Sequence, residues 1–145
     1  MAQVWVLSAS LSQRRQVEDL MAPDSAVLWR PQPFQPETYQ VCFESDWPGD
    51  VLSSRLASIG CPFEVETNSD RYLFYPGLGI KRQQLDEAGE VVIRFGQLKQ
   101  QIQESAGSVS ELERRLRVIE GQPWLDLLEP YRQGKTRYHA MPRAV

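Results

Sequence analysis

Residues 3–8, QVWVLS, decide the fold of this chain. β-branched and aromatic residues dominate the stretch, so it reads as a strand. Val4, Trp5, Val6 and Leu7 are apolar at four consecutive positions. Successive side chains of a strand point to opposite faces, so this strand carries apolar groups on both. A strand covered on one face only would alternate apolar with polar. The stretch is therefore expected at the centre of a sheet, with something packed on each side.

The segments after it set the order of elements. Ser10 and Gln13 have the spacing of a capping box, and Leu11, Val17, Leu20 and Met21 lie near one face of the helix it opens. Pro23-Asp24 ends that helix. AVLWR (26–30) reads as a second strand, and PQPFQP (31–36), with three prolines, as a stiff connection. TYQVCFE (38–44) alternates Tyr39, Val41 and Phe43 against Gln40, Cys42 and Glu44, the pattern of a half-buried strand. Asp46-Trp47-Pro48 can start a second helix, with Val51, Leu52, Leu56 and Ile59 as its apolar face and Gly60 as its stop. FEVET (63–67) alternates again. The order is βαββαβ, which predicts an α+β fold with a ferredoxin-like core.

Beyond the core, Arg71–Tyr75 reads as an added strand, PGLG (76–79) as a break, and residues 80–85 and 90–94 as a hairpin around DEAG. From Phe95 onward the apolar period is helical: Phe95, Leu98 and Ile102, then Val109, Leu112, Leu116 and Ile119 behind a Ser108/Glu111 capping box. Pro123 opens a last short helix with Trp124, Leu127, Leu128 and Tyr131 on one side. The expected organisation is one domain over residues 1–133, sheet-rich in 1–94 and helical in 95–133, followed by a flexible basic tail, 134–145. Two to three C-terminal helices are expected across the second face of the sheet. The alternative is a small helical appendage that holds a partner.

Composition narrows the function. Of 145 residues, 41% are hydrophobic and 24% charged, enough for an ordinary core. The net charge is −3, whereas chains built to grip phosphate backbones are usually basic. Two cysteines, Cys42 and Cys61, make neither a disulfide scaffold nor a cysteine-only zinc site. The one histidine, His139, lies in the tail, so neither a metal site nor a Cys-His pair is expected. PGLG lacks the lysine and hydroxyl of a phosphate loop. Glu64/Glu66 and Asp86/Glu87 are read as solvated carboxylates. No cofactor, no membrane span and a cytoplasmic location are expected.

No motif fixes a reaction, so an enzyme is the lesser reading, as is a ligand-binding domain. The leading expectation is a small non-catalytic domain that binds another protein, as an accessory factor, adaptor or inhibitor. Trp29, Arg30, Phe34 and Trp47 form an aromatic-proline lip of the composition found in interface anchors. The nucleic-acid alternative places bases on Trp5, Tyr39 and Phe43 of the first and third strands, with Arg132, Lys135 and Arg137 on the backbone. A monomer is favoured over a homodimer, because the helices are expected to cover the sheet.

Overall fold

The computed structural model describes residues 1–22 and 27–132. Six strands form one antiparallel sheet: β1 Ala2–Ala9, β2 Arg30–Pro31, β3 Tyr39–Ser45, β4 Phe63–Glu66, β5 Asp70–Tyr75 and β6 Gly79–Gln84. Their order across the sheet is β2-β3-β1-β4-β5-β6. β1 is thus central, between β3 and β4, as its doubly apolar sequence requires. Val4 stands between Phe43 and Val65 on one face, and Trp5 between Cys42 and Glu64 on the other.

The first face is covered by α1 (Leu11–Glu18) and α2 (Gly49–Ile59). Ser10 caps α1 through the expected box with Gln13. Gly60 stops α2 in the left-handed region, φ 90°, where a side chain would be strained. Val4, Val6, Val41, Phe43, Phe63 and Val65 from the sheet meet Val17, Leu52 and Leu56 from the helices. Phe63 and Phe74 stack at 5.2 Å. The first turn of α2 lies so close to the sheet that a Cβ on Gly49 would come within 2.8 Å of Thr67 and 2.9 Å of Tyr72.

The second face is smaller in its apolar part. Trp5, Leu7 and Leu73 meet Leu128 and Tyr131 from α5 (Gln122–Leu128) and a 3₁₀ turn, Glu129–Tyr131. The Trp124 indole N–H donates to the Gly79 carbonyl at 3.0 Å and fixes α5 to β6. Further along the same face, the row Glu44, Gln3, Glu66, Arg71 is polar and not buried. There is apolar surface for one short helix and a turn, not for three helices.

Two helices, α3 (Phe95–Glu104) and α4 (Val109–Ile119), consequently do not lie across the sheet. They pack on each other, and α4 continues to α5. The sheet holds the end of α4 through Gln83, whose side-chain amide donates to the Ile119 carbonyl at 3.0 Å. The fold is α+β as expected, with several helices packed on the sheet, and on the second face the apolar cover comes from α5 with its 3₁₀ turn. β2 is also shorter than the predicted AVLWR strand, only two residues long. Pro31 and Pro33 offer no N–H to extend its ladder, which confines such a segment to an edge. Residues 90–94, predicted as a hairpin strand, contribute a single bridge, Leu85 to Val91. The tail 134–145 lies outside the described residues. No helix among the described residues is long and apolar enough to cross a membrane.

Candidate partner-binding surfaces

The residues of the expected lip do not form one patch. Trp29 packs half-buried against the first-face core, and the Arg14 guanidinium covers its ring at 5.1 Å and that of Tyr39 at 4.7 Å. Trp47 likewise leans on that core, with Arg55 over its ring at 5.1 Å. Trp29 lies beside the Tyr39 end of β3 and Trp47 follows its Ser45 end, so roughly 20 Å of strand separates them. Arg30 is exposed in the edge strand β2.

Phe34 is 54% exposed, yet its loop is fastened. Gln32 is buried, donates to the Leu7 and Tyr131 carbonyls, and accepts from the Phe34 N–H at 2.9 Å. The Ser8 hydroxyl donates to Gln35 at 2.7 Å. The Phe34 ring meets Tyr131 edge-on at 4.9 Å, and Tyr131 sits 6.5 Å from Tyr75. Burial pushes the Tyr131 phenol up from its ordinary range, with Tyr75 adding to the shift. Much of this loop therefore works as a clasp between β1 and the 3₁₀ turn, a role that the lip composition did not reveal.

Two of the three sheet aromatics named for base stacking are placed inside. Trp5 and Phe43 are buried in the second-face and first-face cores respectively, and Tyr39 lies under Arg14. A base could reach Trp5 only after α5 and its 3₁₀ turn lift away. Arg132 turns inward, 3.4 Å from the Glu64 carboxylate, which has no exposed surface. The sequence reading of Glu64 as solvated is thereby corrected: the C-terminal turn lies over that strand face. Lys135 and Arg137 lie outside the described residues.

Other chemistry is sparse among the described residues. Burial pushes the Cys61 thiol up to about 12, so it stays protonated at neutral pH and is a poor nucleophile. β1 stands between β3, which carries Cys42, and β4, which Cys61 precedes. A cleft of about 690 Å³ runs along the β6 edge, with Lys81, Arg82 and Arg94 on its walls and Asp70 paired to Arg82 at 3.3 Å.

The α3–α4 hairpin carries a set of exposed apolar side chains. A four-residue link, 105–108, joins the helices, with Ala106 and Gly107 in the left-handed region. Arg115 of α4 crosses to Glu104 at 2.6 Å and Gln101 at 3.4 Å on α3, which marks the side where the helices touch. About a third of a turn away on α3 come Phe95, Leu98 and Ile102, and about a quarter turn away on α4 come Val109, Leu112 and Leu116. Because the helices run in opposite directions, both stripes fall on the same side of the hairpin. Neither helix contains a fully buried side chain. Phe95 is 80% exposed, Val109 69% and Ile102 50%.

Charges away from that stripe brace the hairpin. Arg114 and Arg115 both hydrogen-bond Glu111, at 2.6 Å and 3.1 Å, and the Arg114 bond leads in lowering the Glu111 carboxyl to about 2. The hairpin can thus keep its shape while one face stays open. The apolar spacing of these helices was legible in sequence, but their distance from the sheet was not. The polar row on the second face, readable from Gln3, Glu44, Glu66 and Arg71, was the available signal.

The family described as "Protein of unknown function (DUF3145)" matches the chain over residues 5–140. No curated protein and no solved structure matches it.

Proposed function

We propose that this chain, which belongs to the DUF3145 family, is a small protein-binding domain that works in the cytoplasm and docks its partner on the open face of α3–α4. The observation that carries the reading is the contrast in cover. The sheet is packed on its first face and clasped on its second, while Phe95, Ile102 and Val109 stay exposed together on one side of a hairpin. A contiguous apolar face rimmed by charges is the usual form of a helix-mediated interface. The partner joins at the helical appendage and not at Trp29 or Trp47, whose rings are covered by Arg14 and Arg55. The strand order β2-β3-β1-β4, every neighbour antiparallel, supports a ferredoxin-like core as the scaffold that carries the hairpin.

The test is capture from nuclease-treated native lysate with the wild-type chain and with Ile102→Asp, quantified by mass spectrometry. The substitution puts a charge in the centre of the face and removes no core contact. Specific partners should fall at least tenfold while the circular dichroism spectrum is unchanged. Full retention of every partner by a folded Ile102→Asp protein sinks the site.

A further inference from the structure

We propose that the partner on the α3–α4 face is a second copy of this chain, the two hairpins closing into an antiparallel four-helix arrangement; this rests on the docking role inferred above. Among the described residues, the uncovered part of the sheet's second face is the polar row Gln3, Glu44, Glu66 and Arg71, which offers this stripe no apolar cover.

The charges beside the face are complementary to the face itself. Lys99 lies on the outer flank of the α3 stripe, next to Phe95 and Ile102 at helical spacing, and Glu113 on the outer flank of the α4 stripe, next to Val109 and Leu116. Lys99 is six positions before Ser105 and Glu113 five positions after Ser108, so the two stand level along the hairpin. A two-fold axis parallel to the helices lays α3 of one copy on α4 of the other. It joins the stripes and sets each Lys99 beside Glu113 of the other copy. Such an interface is self-complementary, as a two-fold contact must be.

The face is small. Two helices of ten or eleven residues offer an area of about 15 Å by 20 Å per copy, below the size of permanent interfaces. Association is therefore expected in the micromolar range, a dimer that forms and parts with concentration.

Sedimentation velocity of the full chain across the micromolar range tests this. The wild type should pass reversibly from monomer to dimer, and Ile102→Asp should raise the midpoint at least tenfold. Lys99→Glu and Glu113→Lys should each weaken self-association by roughly fivefold, since each sets two like-charge contacts in place of two opposite ones. Mixed in equal amounts, the two single variants should recover wild-type association, because a Lys99→Glu copy and a Glu113→Lys copy complement each other at both contacts. A purely intramolecular effect gives no such recovery and overturns the proposal. So does a wild type that stays monomeric throughout, or a dimer that Ile102→Asp leaves intact. If the wild type is monomeric yet Ile102→Asp still strips a captured lysate protein, the second-copy inference falls and the docking face stands. If that capture too is unaffected, both fall.

Discussion

The central strand β1 and the hairpin α3–α4 are both apolar at the spacing of their own geometry, and they end in opposite states. In β1 every residue but Gln3 is buried, because α1 and α2 lie over one face and α5 with its 3₁₀ turn over the other. In α3 and α4 no residue is: among the described elements, α3 packs chiefly on α4, and α4 on α3 and α5. An apolar period says that a face gains by being covered. Which element covers it depends on the area available elsewhere in the fold, and the second face of this sheet has room for one short helix only.

That contrast should appear most strongly in stability. Phe63 is fully enclosed against Phe74, so Phe63→Ala should cost about 3–5 kcal/mol in urea unfolding, the usual loss for truncating a core phenylalanine. Next comes the clasp on the second face. Arg132→Met takes away the guanidinium beside a carboxylate without solvent contact and should cost roughly 2–3 kcal/mol, somewhat under a fully buried pair because Arg132 keeps part of its exposure. Adding Glu64→Gln to that variant should recover part of the loss, which a double-mutant cycle reads directly. The smallest effect belongs to the hairpin: Ile102→Ala should change stability by no more than about 0.5 kcal/mol in dilute protein. An Ile102→Ala loss comparable with that of Phe63→Ala would place the hairpin in the core and erase the distinction.

Local signals were legible wherever the chemistry was local. Four apolar residues in a row placed β1 at the centre, Ser10 and Ser108 located two helix starts, and Gly60 a helix end. What could not be read was settled by distant contacts. Glu64 looks solvated in FEVET, and only the turn carrying Arg132 encloses it. Phe34 and Trp47 look like one lip, and β3 holds them apart. Gln32 gave no sign of its role, because both carbonyls that it grips, on Leu7 and Tyr131, are remote in sequence.

Native-state hydrogen exchange of the dilute protein tests the central claim most directly, since it reports opening element by element. The account predicts that amides of α3 and α4 exchange through local opening well before those of β1, whose protection follows global unfolding. Equal protection of β1 and the hairpin in dilute solution would contradict it, because the hairpin would then be part of the cooperative core and its apolar face would not be free for a partner.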